Sequence, residues 1–374
     1  MRKTLVVLTS SVALLVAGCS DRVLIGVVLP ETGEAGVYGM SIKSGVRLAF
    51  DTAPGRRGRL AVEYRDSASD PARASAQAEA LFDAGALAII GGATTPEARA
   101  VIPIAERWHR VLLSPSASAP ALSRLSTYFL RTYPSDELEG VEAADLLALT
   151  LDVRTVLIVE EDNPYTRGLL PVFLHRFASR GGEVVASVRV GDAGWQDEVR
   201  EAVRKRPPAA AYLCGYGDAI LEALRLLRAI GYSRVVCTTT AINTATLLHR
   251  AGTLAEGVVF PLAVLDPARP GETTREFLRR YRATYDLVPD TYAAHGYDAA
   301  LALLAALERL DQPTGQHLRQ RLLDLTGVPG VMGPIVFDET GTMRHSLRAV
   351  RIEGGRVRPL DAAALARSGQ RGGR

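Results

Sequence analysis

Short, continuous apolar runs alternate with stretches of helical spacing through most of the chain, and no other feature restricts the fold as much. Val23 to Leu29 (VLIGVVL) is an unbroken apolar run stopped by Pro30. Val37, Ile42, Val46 and Phe50 then recur three to five residues apart, which predicts a helix over 37–53. The same reading predicts strands over 59–64, 87–91, 111–113, 155–159, 184–188, 209–214, 235–238 and 257–262. Helices are predicted between them over 71–84, 96–109, 165–179, 195–205, 218–230 and 244–249. Asp70 and Pro71 supply the N-cap and first position of the second helix. Strands that are apolar throughout, rather than on alternate positions, suit parallel sheets covered on both faces. Strands alternating with helices imply βαβ units.

The units are too many for one compact sheet. The rhythm breaks over 125–140, where a strand-like LSTYFLRT leads into PSDELEG, and this reads as a crossing between two domains. After Asp266 come helices over 274–285, 291–310 and 315–325, then strands over 334–337 and 346–352 around the turn Asp338-Glu339-Thr340-Gly341. A chain of 374 residues with 47% hydrophobic and 23% charged residues carries apolar material for more than one core of ~150 residues.

The first twenty residues read as export, not structure. Met1-Arg2-Lys3 precedes a mostly apolar stretch to Val16, and Val16-Ala17-Gly18-Cys19-Ser20 is similar to a bacterial lipobox. A leader over 1–18 and lipidation at Cys19 are expected, which puts the mature chain outside the cytoplasmic membrane, in the periplasm or at the outer cell surface, in an oxidising compartment. Cys214 and Cys237 then remain, read as two buried thiols, with a disulfide open if their strands are neighbours. No apolar run reaches the ~18 residues of a membrane span. A net charge of +3 with interspersed acids and bases does not suggest nucleic acid.

No phosphate-binding GxxxxGK[ST] loop, complete dinucleotide fingerprint, HExxH, Cys-x-x-Cys, G-x-S-x-G or S-x-x-K occurs, and the six histidines are dispersed. No catalytic residue, metal site or cofactor is therefore expected. Binding is the expected activity, and ligands of open α/β sheets sit beyond the C-terminal strand ends. The loops there, Gly91-Gly92-Ala93-Thr94-Thr95 and Ser114-Pro115-Ser116-Ala117-Ser118-Ala119, are rich in small and hydroxyl residues. Hydroxyls and free N–H groups at helix N-termini suit a carboxylate.

Five stretches add specificity: Ile25-Gly26-Val27-Val28-Leu29-Pro30 with Tyr38-Gly39; Ile89-Ile90-Gly91-Gly92; Leu113-Ser114-Pro115-Ser116-Ala117-Ser118; Arg131-Thr132-x-x-x-Asp136-x-x-x-Gly140; and Gly330-x-x-Gly333-Pro334-x-x-Phe337-Asp338-x-x-Gly341. In this order and spacing the chain resembles the Leu/Ile/Val-binding family of ABC-transporter substrate-binding proteins. The resemblance implies the type I periplasmic-binding-protein fold, an α/β fold of two Rossmann-like lobes with parallel sheets joined by three crossovers. It implies a first lobe of 22–135 plus 266–329, a second of 136–265 plus 330–360, a flexible tail over 361–374, and crossovers near 134–137, 262–266 and 327–333. By resemblance Thr95 and Ser118, with backbone groups of Ser116 and Ala117, hold a ligand carboxylate. Tyr38 lines the first lobe, and Tyr165 and Tyr216 close from the second. Asp136 bonds backbone at the hinge. The implied partners are a small-molecule ligand and the permease subunits of an importer, with the binding protein itself a monomer. A sensory receptor of the same fold, and an enzyme, are the rival readings.

Two positions depart from the family. Where its amino-acid binders carry an acid that pairs with the ligand ammonium, the alignment places Thr240 or Ala241, and no Asp or Glu occurs between Glu222 and Glu256. Either Glu31, Asp136 or Glu161 substitutes, or the ligand is an amide, a urea-like molecule or a simple aromatic or aliphatic carboxylate rather than a branched-chain or other amino acid. The second departure is Glu139, where the family usually has glutamine.

Overall fold

A computed structural model describes residues 22–53, 60–263, 271–308 and 313–360. The leader expected over 1–18, Cys19, and the tail expected over 361–374 lie outside the described residues.

The first five strands, β1 (Val23–Leu29), β2 (Leu60–Asp66), β3 (Ala88–Gly91), β4 (Val111–Ser114) and β5 (Phe129–Arg131), form one sheet in the order β2-β1-β3-β4-β5 with every pair parallel. Helices α1 (Gly36–Thr52), α2 (Pro71–Asp83) and α3 (Thr95–Trp108) connect them. The unbroken apolar character of β1 has a direct cause. Ile25, Val27 and Leu29 face the core that contains α1, and Val28 faces the one built with α2 and α3. Asp70 caps α2 by accepting the Ala72 N–H at 2.8 Å.

The chain then builds a second lobe from α4 (Asp136–Asp145), prolonged by a π-turn at Leu146–Thr150, β6 (Thr155–Glu160), α5 (Thr166–Ser179), β7 (Glu183–Arg189), α6 (Trp195–Lys205), β8 (Ala210–Cys214), α7 (Gly217–Ala229), β9 (Val235–Thr238), α8 (Ala245–Ala251) and β10 (Val259–Leu262). Helices α9 (Glu272–Tyr285), α10 (Thr291–Glu308) and α11 (Gly315–Leu323) return to the first lobe, followed by the short hairpin β11 (Val328–Pro329) and β12 (Pro334–Ile335). Finally β13 (Arg348–Glu353) and β14 (Arg356–Pro359) complete the second sheet, order β14-β13-β10-β9-β8-β6-β7, antiparallel only where β13 and β14 join it.

Helix α10 packs against α1 at very short range. A Cβ on Gly45 would lie 1.9 Å from the Ala293 carbonyl oxygen, and one on Gly296 2.5 Å from that of Ile42. Glycine at these two positions lets the backbones touch, and this brings the rings of Tyr38 and Tyr292 to 5.0 Å.

Most predicted elements appear within two residues of their expected ends, and three differences have physical reasons. Helix α4 falls where a crossing is expected, because acids occupy its inner face: Asp136, Glu139, Gly140, Ala143 and Ala144 are the buried positions. Strand β14 is an edge strand of alternating arginines, too polar to read, and it exists because the Gly354-Gly355 turn folds it onto β13. The third crossing, expected near 327–333, runs later: Thr342 bridges Arg131, and the Gly341 carbonyl accepts the Arg131 N–H at 2.9 Å. The chain follows the first sheet to that point and leaves it just before β13. There His345 Nε2 lies 2.7 Å from the Thr132 carbonyl, tying the first crossing to the third.

Cys214 and Cys237 are buried and free on adjacent strands β8 and β9. Their register pairs Cys237 with Tyr212, so the two thiols stand diagonally rather than opposite. Among the described residues no helix is long and apolar enough to cross a membrane.

Candidate binding cleft

In each sheet the chain steps to one side and returns to the other: from β1 to β2 and back to β3, and from β6 to β7 and back to β8. Ligand crevices form at such switch points, outside the carboxyl ends of the strands. Here the two switch points face each other across a cavity of about 30 Å³. The first lobe contributes Tyr38 from the start of α1, Ala93, Thr94 and Thr95 after β3, and Ser116 and Ser118 after β4. Tyr133 enters from the first crossing and Tyr292 from the start of α10. The second lobe contributes Tyr165 after β6, Tyr216 after β8, and Thr240 and Ala241 after β9.

The first wall is made of hydroxyls set around a helix N-terminus. Thr94 caps α3 in a reciprocal capping box with Glu97, whose carboxylate also accepts the Ser67 hydroxyl at 2.5 Å. Thr95, the first residue of α3, is therefore held in place by its neighbour's cap. The Ser114 hydroxyl accepts the Ala117 N–H at 3.0 Å and donates to the Gly92 carbonyl at 2.8 Å, clamping the loop after β4 to the loop after β3. Ser116 donates to the Ala93 carbonyl at 2.5 Å and makes a second clamp. The buried Arg131 guanidinium holds the carbonyls of Ser118 and Ala119 and the hydroxyls of Ser123 and Thr342.

Facing these hydroxyls is an aromatic wall whose rings come from both lobes and the first crossing. Tyr165 stacks on Tyr216 at 5.5 Å, Tyr216 meets Tyr38 at 6.1 Å, and Tyr133 stacks on Tyr292 at 5.8 Å and 11°. Three tyrosine hydroxyls join the walls directly. Tyr38 donates to the Ala241 carbonyl at 3.0 Å and accepts the Gly217 N–H at 2.8 Å; Tyr133 donates to Thr240 Oγ1 at 2.9 Å; Tyr292 donates to the Thr240 carbonyl at 3.5 Å. Burial pushes the phenols of all five tyrosines up, so they stay protonated donors.

Behind Thr240 lie two buried acids. Glu139 accepts the Thr240 N–H at 2.8 Å and the Thr240 hydroxyl at 3.1 Å. Burial outweighs these bonds and pushes Glu139 up to about 7. Both carboxylate oxygens of Asp136 are buried without a hydrogen-bond partner. Burial first, then the neighbouring Glu139, drive Asp136 well above the usual carboxylate range, against the influence of Ser118 and Arg131.

Seven of the eight residues expected from sequence (Tyr38, Thr95, Ser116, Ser118, Tyr165, Tyr216 and Thr240) line this cavity. Ala117 does not: its side chain packs in the core under α3, and its N–H is taken by Ser114. The Ser116 hydroxyl proton is likewise committed to Ala93. Asp136 departs from its expected hinge role. Its own N–H bonds the Ser118 carbonyl at 2.9 Å, but its carboxylate bonds no backbone group. The acids offered as ammonium partners are also accounted for. Glu31 pairs with Lys43, Glu161 accepts the Tyr216 N–H at 2.8 Å, and neither they nor Asp136 line the cavity. Tyr133, Tyr292, Thr94, Ala93 and Ala241 were not singled out. Tyr133 sits inside the Arg131-to-Asp136 stretch and could have been found there. Tyr292 follows no strand end, and only the packing of α10 on α1 brings it in.

A family model described as periplasmic binding protein matches residues 22–356. The chain belongs to this family. Among curated relatives of this periplasmic binding protein, the Leu/Ile/Val-binding protein BraC3 of Rhizobium johnstonii is 22% identical over 90% of this chain and 93% of its own length. A leucine binding protein LivK from Thermotoga maritima has a similar structure, with a TM-score of 0.84 and 24% identity over 91% of this chain and 98% of that one. A solute binding protein from R. palustris in complex with benzoate has a TM-score of 0.82 and 19% identity over 91% of this chain and 95% of that one. These likenesses establish the type I fold for this periplasmic binding protein, with its parallel-sheet lobes.

Proposed function

We propose that the protein is the extracytoplasmic substrate-binding component of an ABC importer, tethered through a lipidated Cys19, and that it binds a small carboxylate in the interlobe cleft. The observation that carries this reading is the asymmetry of the lining: hydroxyls of Thr95 and Ser118 beside the N-terminus of α3 on one side, tyrosine rings on the other, and no charged side chain among the lining residues. A helix N-terminus with free hydroxyls stabilises an anion. Tyrosines exclude water around the uncharged remainder of the ligand at low entropic cost.

An α-amino acid would bring an ammonium group with no acid in the lining to meet it, and an unpaired buried charge is costly. Glu139, buried behind Thr240, already commits its oxygens to Thr240. The lining therefore favours a carboxylate without an α-ammonium group. Uptake of a branched-chain amino acid is the second reading, and the printed functions of the relatives support it. Permease subunits would receive the ligand as the lobes open, with the binding protein acting as a monomer. Calorimetric titration of a soluble chain from Ser20 onward tests the ligand class: binding of simple carboxylates and not of leucine or valine is expected. The reverse result would transfer the role to amino-acid uptake.

A further inference from the structure

Tyr133 lines the cleft but is not among the ligand contacts expected from sequence. It lies between β5 and α4, on the first crossing, and its ring is held on two sides. Tyr292 stacks on it at 5.8 Å and 11°, and the His295 ring lies 4.7 Å away. Its hydroxyl donates to Thr240 Oγ1 at 2.9 Å, and Thr240 is held in turn by two bonds to Glu139. A ring fixed by stacking and a phenol fixed by an anchored threonine cannot swing aside at small cost. Its position is set by both lobes, because Tyr292 belongs to the first and Thr240 to the second. With this ring in place the cavity between the walls measures about 30 Å³, so the Tyr133 ring and the uncharged remainder of a ligand compete for the same space.

We infer that Tyr133 is the specificity-determining residue of the cleft, setting an upper size limit so that the protein selects the shortest members of its ligand series. This inference rests on the carboxylate reading for the series named first, but its readout, the order of affinities by size, applies to any series that binds. The experiment is calorimetric titration of the full mature chain and its Tyr133 variants with acetate, propionate, isovalerate and benzoate, and in parallel with glycine, alanine, valine and leucine. Wild type should bind acetate and propionate at least ten-fold more tightly than isovalerate and benzoate. Tyr133→Ala should reverse that order by ten-fold or more. Tyr133→Phe, which keeps the ring and loses only the bond to Thr240, should keep the order while weakening every member several-fold. Tyr133→Leu keeps an apolar side chain in the stack should the alanine variant fail to fold, and should extend the limit to isovalerate.

Binding of the amino-acid series instead would refute the carboxylate reading. The size limit would then stand on wild type preferring alanine to leucine and Tyr133→Ala reversing them. The inference is overturned if wild type binds the largest members of its series as tightly as the smallest, if the folded variants leave the size order unchanged, or if wild type binds nothing in either series.

Discussion

The two walls of the cleft are built on the same strand-end plan and hold their side chains by different means. On the first lobe, short side chains are fixed by local bonds: the capping box of Thr94 with Glu97, and Ser114 and Ser116 clamping one loop to the next. On the second, Thr240 is fixed by an acid far away in sequence, Glu139, and receives the hydroxyls of long aromatic side chains that reach across from the first lobe and the first crossing. A wall made of local bonds keeps its shape when the lobes part. A wall joined to its partner by Tyr38, Tyr133 and Tyr292 would lose those contacts if the lobes parted. In the proposed function the first wall fixes the charged group of the ligand and the second covers what is attached to it.

Breaking the first wall should have the largest effect. Thr95→Ala with Ser118→Ala removes two hydroxyls from the anion side, and hydrogen bonds to charged groups contribute ~1.5–3 kcal/mol each. A loss of ligand affinity of about 100-fold or more by calorimetry is expected, with the thermal midpoint nearly unchanged. Unaltered affinity would mean that the carboxylate binds elsewhere.

Next comes the support behind that wall. Arg131→Ala deletes a buried cation that holds the Ser118 and Ala119 carbonyls and links them to Thr342. It also leaves the buried carboxyl of Asp136 without a nearby cation. Urea unfolding should show a loss of ~3–5 kcal/mol, and a loss below 1 kcal/mol would count the guanidinium as dispensable.

The acid behind the second wall makes stability depend on pH. Glu139 is raised from 4.5 to about 7 in the folded chain, so the folded state holds its proton more tightly than the unfolded state does. Stability from this group is fully present below pH 4.5 and is lost as the pH rises through about 7, by about 3 kcal/mol at ~1.4 kcal/mol per pH unit. Asp298, which accepts the Val331 and Met332 N–H groups, is also raised to about 7 and contributes in the same window. Glu139→Gln should flatten the urea-derived stability between pH 5 and 7.5 without abolishing the slope due to Asp298. A variant with the wild-type slope would refute the assignment.

The smallest effect tests the bridge between the walls. Tyr38→Phe removes the hydroxyl that joins the Gly217 N–H to the Ala241 carbonyl across the lobes. At ~1 kcal/mol for a neutral hydrogen bond, the closed form should lose a few-fold in population. Small-angle scattering should show a slightly larger radius of gyration, with folding unaffected. An unchanged radius would mean that the remaining tyrosines and packing suffice to hold the lobes together.

Sequence by itself determined the architecture. Apolar runs on β1, β3, β4, β6, β8 and β9 can be buried on both faces only in parallel sheets, and the helices between them are fixed by period and caps such as Asp70 and Thr94. Because strand ends in such sheets define the crevice, the same reading reached the loops that hold Thr95, Ser116 and Ser118, and the family resemblance added Tyr165, Tyr216 and Thr240. What only the tertiary structure decided has a common cause: it depends on groups far apart in the chain. Asp136 and Glu139 fall where a crossing is expected, and only the folding of α4 turns them inward, because burial of an acid cannot be read from local pattern. Ala117 looked like a ligand contact until Ser114 took its N–H. Tyr292 became a cleft residue because Gly45 and Gly296 let α1 and α10 touch, and contacts of that range are set by packing, which sequence periodicity does not encode.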